Sequence, residues 1–244
     1  MPLKVLILLG AGFISVFLFV RIYPFLHLSL IKILNGRYCE KYIRFYTKYI
    51  GESPFRSCIK GEFFLALFGF YKPDENVEMF NTKSSITFGS FDYGMNSTHL
   101  LKLRDKPVCV NADKLNSFNL LILGFRDKLF DFDIKAIHYF ADNCFFMGEY
   151  LIEITDETKI DEISHILQKK YFDKIKTSSH KYLIEGSNKV LIGFEFNGFK
   201  LSIKYLNKAD LTINEKLDNY WNSKMRSNIN QSQPLERGVI DKIL

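Results

Sequence analysis

The sequence predicts an α+β protein: an antiparallel sheet of hairpins with helices packed on one face, preceded by an N-terminal transmembrane helix. Three observations lead to this prediction. The chain opens on a long uncharged apolar run. Short apolar segments with turn residues between them predict hairpins, and an amphipathic segment between the hairpins predicts a helix. An antiparallel sheet accommodates the order hairpin, helix, hairpin, because this arrangement needs no long crossover connection.

The apolar run at the start of the chain is typical of a membrane anchor. Residues 5–20, VLILLGAGFISVFLFV, carry no charge. At about 1.5 Å per residue a helix of this length covers about 24 Å, which spans a bilayer if Lys4 and Arg21 reach towards the headgroups. A cleaved signal peptide is the alternative, but no small-x-small site ends the run. We therefore interpret residues 1–21 as an uncleaved signal anchor and expect a single-pass membrane protein.

Basic residues concentrate at the N-terminal end. Residues 1–60 contain nine basic and two acidic side chains, whereas the rest contains 24 basic and 25 acidic ones. A neutral body offers no broad basic face for a phosphate backbone, so we exclude nucleic acid as a partner. The N-terminal excess indicates a membrane partner instead. Basic residues after the run only slightly outnumber those before it, so the side of the membrane on which the body lies stays undecided.

Residues 22–60 mix aromatic residues with regularly spaced basic ones, and they are predicted to form basic aromatic membrane-proximal helices. Tyrosine, lysine and arginine together are typical of helices that lie in a membrane interface. Packing of an amphipathic helix on the soluble domain is the alternative. The basic residues assigned to the membrane-proximal site are Arg21, Lys32, Arg37, Lys41, Arg44 and Lys48.

Residues 61–83 are predicted to connect this part to the body, since the apolar run 61–71 is too short to span a bilayer and a polar stretch follows it. Residues 84–210 are predicted to form the α+β domain. Within it, strands 134–140 and 144–154 flank Ala141-Asp142-Asn143 and predict a first hairpin. Shorter strands are expected at 85–91 and 120–125.

The second half of the domain is predicted to contain a helix followed by a second hairpin. Residues 156–172 predict a helix with an acidic first turn and a basic last turn, which suits the helix dipole. Strands 190–196 and 199–206 predict a second hairpin across Asn197-Gly198, a pair that tolerates the positive φ angles of a type I′ turn. Apolar and polar residues alternate from Phe199 onwards, so one face of that strand is expected in the core and the other in solvent. A C-terminal helix and a flexible tail are predicted for 211–244.

Aromatic residues are too numerous for one face of this sheet. Phe145 and Phe146 are adjacent, so they must point to opposite faces if the segment is a strand. We expect a second layer to cover the outward ones, supplied by the helix 156–172 or the apolar run 61–71.

One short segment resembles a known family. Residues 94–107, GMNSTHLLKLRDKP, resemble the glycine, methionine, threonine or serine, helix and proline opening of small bacterial envelope domains, including the SmpA/OmlA lipoprotein family and related uncharacterised modules. Locally, Asn96, Ser97 or Thr98 can cap a short helix that the proline ends. The resemblance extends over residues 84–206 in element order and implies a non-enzymatic envelope module that holds or scaffolds other proteins.

Motifs for catalysis and cofactors are missing from the sequence. It has no P-loop, no dinucleotide-binding glycine pattern, no nucleophile elbow and no H-E-x-x-H. We therefore assign no enzyme class, catalytic residue, cofactor or metal. In an exported body Cys39 with Cys58 and Cys109 with Cys144 could form two disulfides; in a cytosolic one the four cysteines are expected as buried apolar residues.

One pair of titratable residues offers a candidate site. His138 and Glu149 lie on the same predicted hairpin and could meet across it as an acid–base pair, with a surface pair as the alternative. We thus expect a membrane-anchored, non-catalytic domain that binds or scaffolds a protein or lipid partner in a bacterial envelope. The alternative is a membrane-associated enzyme with a site near His138 and Glu149.

Overall fold

The computed structural model describes residues 3–59, 63–67, 70–73, 75–129, 132–154 and 156–240, and within its helices no side chains are described for 3–15, 18, 65 and 227–240. The chain divides into two compact units, Met1–Phe55 and Arg56–Leu244. The Ala-Asp-Asn hairpin, the Asn-Gly hairpin and the helix between them, all predicted above, are present in the second unit.

Two helices make up the first unit. Helix α1 spans Leu3–Asn35 and α2 spans Glu40–Ile50. The chain leaves α1 through Gly36, whose φ of +80° suits a residue without a Cβ. The buried side chains of the pair are Leu28, Ile31 and Ile43, and the His27 ring meets the Phe45 ring edge-on at 4.3 Å. The apolar stripe of α2 therefore packs against α1 within this unit.

The predicted membrane anchor is wrong. In the part of the chain that the structure describes, no helix combines the length and the apolar character needed to cross a membrane. Helix α1 continues past the predicted boundary at residue 21 and carries Arg21, Pro24, His27 and Lys32. A membrane span needs about 20 consecutive, predominantly apolar residues. The expectations of a transmembrane helix and of a single-pass membrane protein are therefore both overturned.

The second unit is built on an eight-stranded sheet with the order β1-β6-β7-β8-β5-β4-β3-β2. Its strands are β1 Glu78–Asn81, β2 Cys109–Lys114, β3 Asn119–Leu129, β4 Phe132–Ala141, β5 Cys144–Glu153, β6 Lys181–Glu185, β7 Val190–Phe196 and β8 Lys200–Asn207. All neighbours are antiparallel except β1, which runs parallel to β6. The sheet is mixed, so the predicted all-antiparallel sheet is wrong. The parallel strand comes from the segment interpreted as a connector.

Helices lie on both faces of this sheet rather than on one. They are α3 Phe63–Leu67, α4 Ser97–Leu103, α5 Glu157–Tyr171 and α6 Leu211–Ile240. On what we call the α6 face, the Phe63 ring contacts Tyr139 of β4 and Tyr220 of α6, with centroids 5.7 and 5.8 Å apart. On the opposite face, the α5 face, Ser164 of α5 hydrogen-bonds the Tyr182 hydroxyl of β6 at 3.0 Å. Each face of the sheet is therefore covered over part of its area, and beneath these helices the strands carry nearly continuous apolar runs.

The two hairpins turn differently from each other. Between β4 and β5, Asp142 and Asn143 have φ of 47° and 70°, the two positive angles of a type I′ turn. Between β7 and β8 only Gly198 has positive φ, at 89°. Strand β8 starts at Lys200, so Phe199 lies in the loop with 76% of its surface exposed. The expectation that Phe199 begins the buried row of β8 is wrong.

The prediction for the adjacent phenylalanines is confirmed. Phe145 contacts His138 on the α5 face, at a centroid distance of 5.5 Å. Phe146 contacts Phe63 on the α6 face at 6.2 Å. The β4–β5 register shifts between Tyr139 and Phe140, and a bulge of this kind leaves one residue of the partner strand without an opposite residue.

Candidate functional site

Part of the α6 face is left open and forms a groove. Two adjoining cavities of about 520 and 810 Å³ lie over the strand ends, and both are lined by Ser57, Lys135, Leu151, Glu153 and Lys200. We call these joined cavities the groove. Strands β4, β5 and β8 form its floor, and the chain segment 56–59 forms one wall. Each of the two cavities has a volume in the range of ligand-binding clefts, and the joined groove is larger than either.

Polar side chains are buried in the floor of the groove. Glu149 and Lys204 are only 5% and 8% exposed, and they lie opposite each other on β5 and β8. The Glu149 carboxylate accepts hydrogen bonds from the Tyr139 hydroxyl and from the Ser202 hydroxyl, the latter at 2.7 Å. Burial, together with the charge and hydrogen bond of Glu149, raises the pKa of Tyr139 well above its ordinary value, so Tyr139 remains a proton donor.

The Lys204 side chain extends from this floor, and its ammonium group lies next to the face of an aromatic ring. Its Nζ lies 5.9 Å from the centroid of Phe70, a distance at which a cation is attracted to the ring face. Phe70 fits there because Gly193 of β7 has no Cβ: a methyl group built on Gly193 would lie 2.4 Å from the ring. The floor thus holds the Glu149 carboxylate and the Lys204 ammonium group, both buried among apolar side chains.

The wall of the groove is fixed to the edge of the sheet. Val110 N–H donates to the Arg56 carbonyl at 2.9 Å, and Cys58 N–H donates to Asn111 Oδ1 at 2.6 Å. A disulfide joins Cys58 to Cys109 of β2. These contacts also cover strand β2, whose edge would otherwise be free to pair with another chain.

The observed disulfide differs from both predicted ones. Cys58 pairs with Cys109, while Cys39 and Cys144 are free. The Cys39 sulfur instead accepts a hydrogen bond from Tyr42 N–H at the start of α2, and Cys144 is exposed beside the β4–β5 turn. Gly124 lies opposite Cys109 in the sheet, and a Cβ there would lie 2.3 Å from the Cys109 sulfur. The bridge thus depends on glycine at this position of β3.

The structure does not bring His138 and Glu149 together. In the β4–β5 ladder His138 lies opposite Gly148, and Glu149 lies opposite Ile137, so their side chains point to opposite faces. His138 is fully buried on the α5 face, and neither ring nitrogen has a hydrogen-bond partner. The surrounding rings belong to Phe88, Phe91, Phe125 and Phe145. The acid–base pair considered from the sequence is not formed.

The pKa of His138 follows from this environment. Burial, the largest cause, and the nearby Arg104 cation together lower the pKa of His138 to about 3, against a smaller upward effect of the Asp127 carboxylate. Arg104 itself donates to Asp127 at 2.6 Å. A neutral imidazole enclosed by phenyl rings has no route for proton exchange with a substrate in the groove.

The six basic residues predicted to be membrane-proximal lie on the two helices of the first unit and in the turn between them. Arg21, Lys32 and Lys41 are exposed. Arg44 pairs with Glu40 at 2.6 Å. Arg37 and Lys48 lie over the rings of their neighbours Tyr38 and Tyr49, at 4.7 and 5.6 Å. Arg21 likewise lies over the Phe17 ring, at 5.5 Å from its centroid. Four of the six therefore have a local partner within the unit rather than being grouped in one cluster.

The groove was not predicted from the sequence, although the polar residues that line it on β8 had been identified. The polar positions of β8, Lys200, Ser202 and Lys204, were expected to face solvent. They do face away from the buried row, but Phe70 and the wall segment partly cover them. Across the described residues, no group of three or more metal-ligating side chains could hold a metal ion.

Comparisons with protein-family models, with curated proteins and with solved structures found no match to this chain. The class that the fold and the groove define is an α+β domain with a mixed sheet covered on both faces and an open polar groove on one of them.

Proposed function

We propose that this chain is a non-catalytic domain that binds an extended segment of a partner protein in the groove. The observation that carries the proposal is the open part of the α6 face, where two cavities join over a floor of paired strands. Strands of a covered sheet are rigid, and a binding site on such elements keeps its geometry. A groove that is open along its length suits a chain segment better than a compact metabolite.

The chemistry of the groove favours protein over lipid as the partner. Its floor and rim alternate carboxylates, lysines and a hydroxyl with the apolar side chains of Leu151 and Ile154. Burying these polar groups under a lipid tail would leave them without hydrogen bonds, which is costly. A polypeptide offers amide, carboxylate and apolar groups together, so it can satisfy each of them.

The disulfide supports one further part of the proposal. Disulfides persist in oxidising compartments and are rare in a reducing cytosol. The Cys58–Cys109 bridge therefore supports a place for this domain in an oxidising compartment, such as the bacterial envelope expected from the sequence. The proposed binding needs no membrane span.

Site-specific photocrosslinking tests the proposal. Phe199 lines the groove and is 76% exposed, so a photoreactive phenylalanine analogue fits its place without disturbing the core. The matched control is Leu103, 57% exposed, at the end of α4. It precedes Arg104, whose guanidinium lies over the Phe125 ring on the opposite face, the α5 face. We expect a discrete protein adduct from position 199 in cells that produce the chain at its native level, and none from position 103. Equal adducts at both positions, or none at 199, would contradict the proposal.

A further inference from the structure

The carboxylates that line the groove are balanced by cations within the protein. Asp127 and Glu195 form ion pairs with Arg104 and Lys181, at 2.6 and 3.3 Å. The other acidic residues that line the two cavities each lie directly opposite a lysine on the neighbouring strand: Asp133 opposite Lys128, Glu149 opposite Lys204 and Glu153 opposite Lys200. Each carboxylate among the described lining residues thus either forms an ion pair or lies directly opposite a lysine in the sheet.

Three cations remain outside this balance. Arg126 and Lys135 lie directly opposite each other on β3 and β4, and both line the smaller cavity. Arg56, on the wall segment, lines the same cavity. Among the ion pairs of the described residues, none includes Arg56, Arg126 or Lys135.

A cation opposite a cation is unfavourable in a sheet. Like charges in directly opposed positions repel each other, whereas opposite charges stabilise the pair. The neighbouring positions on the same face follow the favourable arrangement, as Asp133 opposite Lys128 shows. The Arg126–Lys135 pair therefore reduces the stability of the free protein, and a bound anion would relieve that repulsion.

We propose that Arg126, Lys135 and Arg56 form a subsite that binds carboxylate groups of an acidic segment in the partner protein. The inference rests on the proposed function of the groove, because it names the chemistry of the segment that the groove holds. An arginine guanidinium offers parallel N–H donors that match a carboxylate in a two-pronged geometry. Lys135 is half-buried beside it, and lower exposure strengthens its attraction to an anion.

The position of the subsite fits a longer segment. The smaller cavity opens into the larger one through their shared lining residues, among them Lys135 and Leu151. Acidic side chains at the subsite would leave the rest of the segment over Leu151 and towards the exposed Phe199 ring at the other end. Charge at one end and apolar contact at the other would fix the direction of the bound chain.

Selection from a library of random linear peptides on the full chain tests this inference without a known partner. Selected peptides are checked for groove binding by crosslinking from a photoreactive residue at position 199. We expect groove binders to be enriched in aspartate and glutamate. Their affinity should fall by roughly tenfold or more when Arg126→Glu and Lys135→Glu are combined. The charge-matched control combines Lys169→Glu with Lys174→Glu, two exposed lysines outside the lining, and should leave affinity unchanged.

The outcomes separate the two proposals. Groove binders without acidic enrichment, or binders that tolerate the Arg126→Glu and Lys135→Glu pair, would overturn the carboxylate subsite and leave the binding groove standing. Failure to select any peptide that crosslinks from position 199 would overturn both.

A stability measurement adds a readout that a structural role of the cations would not produce. The single change Lys135→Glu places a carboxylate opposite Arg126, so we expect a higher midpoint of urea unfolding together with weaker peptide binding. A lower midpoint would show that Lys135 serves the fold, and it would count against the subsite.

Discussion

His138 is a titratable side chain for which the fold supplies no polar partner. Its ring is enclosed by four phenylalanines, and the charged groups that face it are Arg104 and Asp127. In the unfolded chain the imidazole takes up a proton near its ordinary pKa of 6.5, whereas in the folded protein it does so only near 3. Stability from the neutral ring is therefore complete above about pH 6.5 and is lost as the pH falls towards 3.

Replacing His138 should remove this pH dependence. In the unaltered protein the free energy of unfolding should fall between pH 7 and pH 5 by up to about 1.4 kcal/mol per pH unit at the lower end of that range. A His138→Leu chain should show a flatter profile over the same range, measured by urea unfolding at each pH. Parallel profiles for the two chains would contradict the neutral, buried state of His138.

Gly148 makes room for an aromatic ring in the same region. A Cβ at this position would lie 2.3 Å from the Phe88 ring, and Phe88 also contacts His138 and Tyr150. Gly148→Ala should therefore lower the free energy of unfolding by about 1–3 kcal/mol through overpacking. In a Phe88→Leu background the same change should cost less. A cost that is equal in both backgrounds would show that the clash is not with Phe88.

At the scale of elements, the disulfide connects the groove wall to the sheet. The bridge closes a loop with a sequence separation of 51 residues, and removing a native disulfide from a small domain typically costs about 2–5 kcal/mol. Combined Cys58→Ala and Cys109→Ala changes should reduce stability by that amount in chemical denaturation, with Cys144→Ser as a neutral control. Thiol titration of the native chain should detect only Cys39 and Cys144. Four reactive thiols would contradict the bridge.

Elements with local signals could be predicted from the sequence. The β4–β5 hairpin follows from Asp142 and Asn143, which tolerate positive φ. Helix α5 follows from its periodic apolar positions and from Asp156, whose side chain accepts from Thr158 N–H at its start. In each case the residues that determine the structure lie within a few positions of one another, so tertiary contacts are not needed to identify the element.

Elements with distant partners could not be predicted. Strand β1 is four residues long, and its pairing is with β6, which follows much later in the chain. Nothing in its own sequence, EMFN, distinguishes it from a connector. The groove could not be predicted for the same reason, because the burial of Lys204 depends on Phe70 and on the position of segment 56–59. Both the parallel strand and the site arise from contacts between remote segments.

At the scale of the whole molecule, the chain separates into two units near Phe55. Residues 51–53 between α2 and the second unit are exposed, and exposed segments are preferred sites of proteolytic cleavage. A glutamate-specific protease should therefore cut first after Glu52, and mass spectrometry should detect a fragment that persists from Ser53 onwards. If that fragment were degraded as fast as it forms, the second unit would not be stable alone.

The central claim is that the open part of the α6 face binds a partner segment. Methyl NMR of the full chain, titrated with a peptide selected on it, tests this claim most directly. We expect shift changes for groove-lining methyls of Ile59, Leu151 and Ile154, and none for Ile163 and Ile192, which are buried away from the groove. Changes confined to Ile163 and Ile192, with the groove methyls unaffected, would contradict the account.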